Sequence, residues 1–562
     1  MRALALLLAL LAAAPQQPQI PSIGETIEVS IVNVDVFVTD AAGNRVHGLT
    51  RNDFEIYEDR KPQPITNFAE YTKETRATFG VEAAPVATAP SADSQRRVIL
   101  VFVDRFRAPS FKVEPVFAGL RDMLHKVVRP GDRVLVASWS GRMHIRQEPT
   151  GDLAAIDNVL TNIAKESVGV TPHPLTDTVL TYASAAEFEK QVYGSAGSGP
   201  KFAIPSAELS QPFGPLAAAR EVLMELRAKT DALESLITAA SGLEGKKILL
   251  MSTRSYGTYA GVEFFGGMVP PRNRQELETT ELRKRLTRTA NANGVTIYPI
   301  YPLGLGTTFG MSAEISGGDH IATISQRGSA DATSAFDNMI LMNETTSLYD
   351  IARETGGAMA WGERDIVKLL PRIADDFDSC YSLGYRATSS RSDRVRSIRV
   401  VAKNRAYTVR SRKAVVEKSP ASRMKDRVVA TLFQEPEGRD AIPFTVEYGK
   451  PSKLGSKWLV PLTVRVPIEA LTTVPDAGGN GGGFSVFVAA GGDFGVVSDV
   501  SQKTQPFNIP QGDVERARES YFTYDMDLET DGRADHIAVG VFDELSKEFG
   551  LQRLALPPAV TK

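Results

Sequence analysis

Six consecutive apolar residues, Val98-Ile99-Leu100-Val101-Phe102-Val103, constrain the fold of this chain more than any other feature. An unbroken, mostly β-branched run is what a strand needs when both of its faces are buried. Open α/β sheets place such strands between helical layers and put their ligand sites at the strands' carboxyl ends. The residue delivered to that position is Asp104. Helical and strand patterns then alternate. Helices are expected around 116–127, 153–163, 216–243, 276–292 and 348–355, and strands at 132–138, 247–252, 295–301 and 357–361. This alternation predicts an α/β fold, a doubly wound, mostly parallel sheet over residues 97–379.

Two Gly- and Ser-rich stretches, near 191–215 and 304–337, interrupt the pattern and read as long insertions. Residues 25–72 carry alternating strand patterns and form an N-terminal β module, separated from the sheet by an Ala-, Pro- and Ser-rich linker over 73–96. Strands return over 380–415, where they are expected to complete the N-terminal module. Residues 416–562 are expected to form a C-terminal, Ig-like β-sandwich. Gly478–Gly483 reads as a flexible loop, and no Walker-type lysine follows it.

A net charge of −3 over 562 residues gives no electrostatic basis for binding nucleic acid or an anionic membrane. Residues 1–14 have the anatomy of a secretory signal: Arg2, an apolar run, then Ala12-Ala13-Ala14. No other segment approaches the length of a membrane span. Cys380 is the only cysteine, so neither an intramolecular disulfide nor a Cys-rich metal site can form. The expected location is periplasmic or secreted.

Three stretches give the chain a family resemblance over roughly residues 25–415. They are Gly43–Asp59, the strand ending in Asp104, and Leu348–Tyr385 with Thr355-Gly356-Gly357 and Tyr381-Ser382-Leu383-Gly384-Tyr385. In these the chain resembles the VWFA-related acidobacterial-domain proteins, built on a von Willebrand factor type A (VWA) domain. The resemblance implies a site for Mg²⁺ or Mn²⁺ made by Asp-x-Ser-x-Ser, a loop Thr and a later Asp, with a partner's carboxylate completing the shell. Here Asp104 matches the first Asp and Thr171 the loop Thr. Phe106 and Ala108 replace the serines, and Thr253-Arg254 stands where the later Asp belongs. The expected outcome is a degenerate metal site with Asp104 paired to an arginine, and no cofactor. The partner-binding face would comprise Asp104, Arg105, Phe106, Arg107, Thr171 and Arg254. An alternative ligand set for Mg²⁺ or Mn²⁺ is Asp104, Ser140, Thr171 and Ser252.

Other motifs are weaker. His47, His125, His144, His173, His320 and His536 show no metal-ligand spacing. Ser138-Trp139-Ser140-Gly141 lacks the G-x-S-x-G form of a nucleophile turn. Asp527–Asp535 mimics half a calcium loop, but Ala538 falls where a bidentate Glu is required, so a β-hairpin with an acidic turn is expected. Together these features predict an exported, non-enzymatic adhesion or interaction protein with a protein partner. The alternatives are a Mg²⁺- or Mn²⁺-dependent binder and an envelope hydrolase.

Overall fold

A computed structural model describes residues 31–72, 96–105, 113–166, 215–302, 330–557 and 560. Residues 244, 254–255, 266–267, 361–369, 388–392, 437–440, 477–478, 493–496, 531 and 533 within those spans lie outside the description. So do residues 1–30 and 73–95 and most of the two stretches expected to be insertions.

The described residues form five sheets, four of them wholly antiparallel. This corrects the expected fold class. The chain is mostly β, and a doubly wound, mostly parallel α/β sheet does not describe it. A single mixed sheet accounts for the strand–helix alternation. The period-2 segments outside 97–379 supply more strands than that sheet does, and alternation favours antiparallel pairing with one face packed.

The mixed sheet is centred on Arg97–Asp104, which runs parallel to Arg133–Trp139 on one side and Lys246–Ser252 on the other. Val295–Ile300 extends it in parallel, and Met143–Thr150 closes the other edge antiparallel. Alternate side chains of the central strand enter opposite cores. Val98, Leu100 and Phe102 pack with the Pro215–Ser241 and Thr280–Ala292 helices. Ile99, Val101 and Val103 pack with Val113–Val127, Leu153–Lys165 and Leu370–Asp378.

Two sheets of the N-terminal module draw strands from both sides of this region. Ile31–Thr39 lies between Cys380–Arg386 and Thr408–Ser411, with Ile65–Tyr71 beyond, and Phe54–Glu58 pairs with Val395–Ala402. The motif residues of this segment have structural work. Tyr381 donates its hydroxyl to the Val46 carbonyl (2.9 Å), and Tyr385 donates to Glu58 Oε2 (2.6 Å). Burial pushes the Tyr385 phenol well above its ordinary range, and the Glu58 bond adds to the shift. Thr355 Oγ1 receives the Ile297 amide at 3.1 Å, and Gly356 takes φ +83°. At Gly357 a Cβ would stand 1.9 Å from the Ile297 carbonyl oxygen. Gly357→Ala is therefore expected to lower stability by about 1–3 kcal/mol through overpacking, measured by chemical denaturation.

The residues from Pro420 form a separate compact unit. In it Lys457–Pro467 pairs with Tyr521–Thr530, and Gly479–Gly491 pairs with both Ser501–Ile509 and His536–Asp543. Two local expectations fail here. The Asp527–Asp535 segment does not turn a hairpin, because its flanking strands join different sheets. Gly479 and Gly481–Gly483 lie in a strand rather than a loop, while Gly478 lies outside the described residues. A Cβ on Gly482 would meet the Phe507 ring at 2.5 Å, so the glycine makes room for the ring.

Candidate functional site

The carboxyl end of the central strand is a buried ionic cluster. Asp104 is 6% exposed, and its Oδ2 accepts from Lys229 Nζ at 2.6 Å and Thr253 Oγ1 at 2.7 Å. Thr253 gets there because the neighbouring parallel strand, Lys246–Ser252, ends in register beside Val103. Lys229 comes from the Pro215–Ser241 helix, where it shares the buried stripe with Leu226, Leu233 and Leu236. Glu225, one turn earlier, lies 3.3 Å from the same ammonium. Burial pulls the lysine's pKa down, but the Asp104 and Glu225 carboxylates outweigh it and hold the group above its ordinary value. The side chain is thus an ammonium with no exposed surface.

Among the described residues the cation on Asp104 is Lys229; Arg107 and Arg254, two of the three arginines expected beside it, lie outside the description. Neighbouring Arg105 turns elsewhere. Its backbone N–H donates to the Trp139 carbonyl (2.8 Å) and its Nη2 to the Glu166 carbonyl (2.8 Å). Phe106, Arg107, Thr171 and Arg254 lie outside the described residues. Of the alternative ligand set, Ser252 is buried at its strand end and Ser140 is exposed in the turn before Met143–Thr150. The described members of this donor set, Asp104, Ser140 and Ser252, do not by themselves suit a divalent cation. Such an ion would need oxygens at about 2.0–2.1 Å in near-octahedral array, and Asp104 Oδ2 already carries a positive group.

Beside Arg105 lies a second group that the sequence did not single out. Arg146, on the antiparallel edge strand, donates from Nε to Ser138 Oγ (2.7 Å) and from Nη2 to Glu166 Oε2 (2.6 Å). His144 faces Ser138 across the same strand pair. Burial, then the charges of Arg146 and Arg142, hold its imidazole below the ordinary value. The signal that could have revealed Lys229 is a lysine in register with an apolar helical stripe. No comparable signal marks Arg146, because the edge strand that carries it has a polar pattern, MHIRQEPT.

No family model and no curated protein matches the chain. Solved structures are similar only at low scores. Proximal thread matrix protein 1 from the mussel byssus is 11% identical over 51% of this chain and 47% of its own, with a TM-score of 0.23. The human COPII-coat protein Sec24c is 8% identical over 59% and 46%, with a TM-score of 0.24. The pilus adhesin SpaC of Lactobacillus rhamnosus GG is 9% identical over 93% and 59%, with a TM-score of 0.24. Each match leaves two-fifths or more of the other protein uncovered. Among the described residues, no helix is long and apolar enough to cross a membrane.

Proposed function

We propose that this chain is an exported, non-enzymatic interaction or adhesion protein. It would meet a protein partner at the strand-end face around Asp104 and Arg105, without a bridging metal. The observation that carries the reading is the Lys229 ammonium on Asp104 Oδ2. A fixed internal cation takes up the carboxylate a metal bridge would use, so affinity must come from side chains of the face itself. Arginine-rich faces suit that role, because guanidinium groups are over-represented at interface hot spots. The sequence resemblance to VWFA-related proteins over 25–415 supports an interaction role, and the leader at 1–14 supports export.

The test is calorimetry of the full chain with Mg²⁺, Mn²⁺ and Ca²⁺, alongside adhesion of protein-coated beads to bacterial envelope preparations with and without EDTA. The expected result is no cation uptake that Asp104→Asn removes, and adhesion that survives chelation. Metal uptake lost in the variant, together with EDTA-sensitive adhesion, would overturn the metal-independent reading.

A further inference from the structure

Among the described residues, three arginines are buried below one-tenth exposure: Arg97, Arg105 and Arg396. Arg97 grips Asp132 through Nε at 3.1 Å, and Arg396 lies 3.3 Å from Glu58 and 2.9 Å from Glu417, with its Nε alone left without a hydrogen-bond partner. Arg105, 2% exposed, has only the Glu166 main-chain carbonyl on its guanidinium, while its Nε and Nη1 are buried with no hydrogen-bond partner among the described residues. Folding rarely leaves a desolvated charge so incompletely matched unless the mismatch is put to use.

The donor geometry indicates what would satisfy it. A guanidinium presents two edges, each with two parallel N–H groups, and Nη2 contributes one hydrogen to each. Whichever hydrogen Nη2 spends on Glu166, one complete edge stays open, with Nη1 or with Nε. Two parallel donors match the two oxygens of a carboxylate. The surroundings favour a negative guest. Arg146 shares Glu166 with Arg105, the charges of Arg146 and exposed Arg142 both act on His144, and Glu166 is the one carboxylate among these residues. The buried guanidinium is therefore joined through Glu166 to half-buried Arg146, whose charge, like that of exposed Arg142, acts on His144.

We propose that Arg105 is the receptor for an acidic side chain of the protein partner, a Glu or Asp carboxylate received bidentately beside Glu166. The inference rests on the interaction role argued above and gives that face its ligand chemistry.

The probe is a capped hexaglutamate peptide, titrated into the full chain at low ionic strength, with acetate and inorganic phosphate in parallel. The peptide is expected to bind, to lose at least tenfold in affinity in Arg105→Met, and to keep part of it in Arg105→Lys. Arg105→Met should leave the denaturation midpoint unchanged or raise it, since it removes an unmatched buried charge. A fall in midpoint with peptide affinity unchanged would show that Arg105 serves packing alone and overturn the proposal. Phosphate binding without peptide binding would replace the acidic partner by a free oxyanion, and no binding of any probe would sink the idea outright. EDTA-sensitive bead adhesion beside intact peptide binding would instead count against the metal-independent reading alone.

Discussion

Replacing Lys229 by methionine is expected to destabilise the mixed-sheet region by about 3–5 kcal/mol, the usual cost of breaking a buried ion pair by removing one member. Methionine keeps the length and apolar stem of the side chain, so the loss reports the ammonium and not a cavity. What it leaves is the Asp104 carboxylate with Thr253 as its remaining described donor, and Glu225 one turn away. Adding Asp104→Asn to the variant should restore most of the stability, because a neutral amide needs no counter-ion. Hydrogen exchange across Arg97–Asp104 during denaturation is the readout that localises the effect. Equal protection in the wild type and Lys229→Met would remove the ammonium from its role as the internal cation.

Asp376→Ala is expected to cost about 3 kcal/mol, with its effect at a different place. Asp376 is 1% exposed on the Leu370–Asp378 helix and accepts from Arg410 Nη2 at 2.6 Å, while Arg45 closes on its other oxygen. Both arginines also stack on the Phe37 ring, with Arg410 4.6 Å from its centroid. One carboxylate therefore ties the N-terminal module to a helix of the mixed-sheet region. The figure falls at the low end because both arginines retain 19–24% of their surface in solvent. Limited proteolysis should show faster cleavage within the module, with the mixed sheet still protected. Uniform loss of protection would show that the two parts unfold as one.

The sequence was most legible where a single pattern sufficed. Val98–Val103 is a strand buried on both faces because nothing in it could tolerate water. It was least legible where a distant partner overrides the local pattern. The segment 276–292 reads as one helix, yet it breaks between Leu277 and Thr280 because Glu278 bridges Tyr259. Gly479–Gly483 looks like a loop, yet the Phe507 ring takes the space a Cβ would fill at Gly482 and the Ile509 carbonyl takes it at Gly479. The fold class was misjudged for a related reason. Strand–helix alternation is a strong signal over 97–379, whereas antiparallel strands announce themselves weakly and one at a time. At the site, Asp104 could be read from its position after a strand. Lys229 could not be paired with it, since the two residues stand 125 positions apart.

The N-terminal module is closed by strands from both sides of the mixed-sheet region, so contacts such as Leu49 to Tyr381 join residues 332 positions apart. An unstructured loop of that length must lose entropy before the module's own contacts can repay it. Once the intervening residues have collapsed into their sheet, the ends at Arg97 and Cys380 are already brought near, and most of that entropy has been spent. The order of folding then follows from the topology. The module that begins first in the chain finishes last, and its completed sheets report that the region between them has folded.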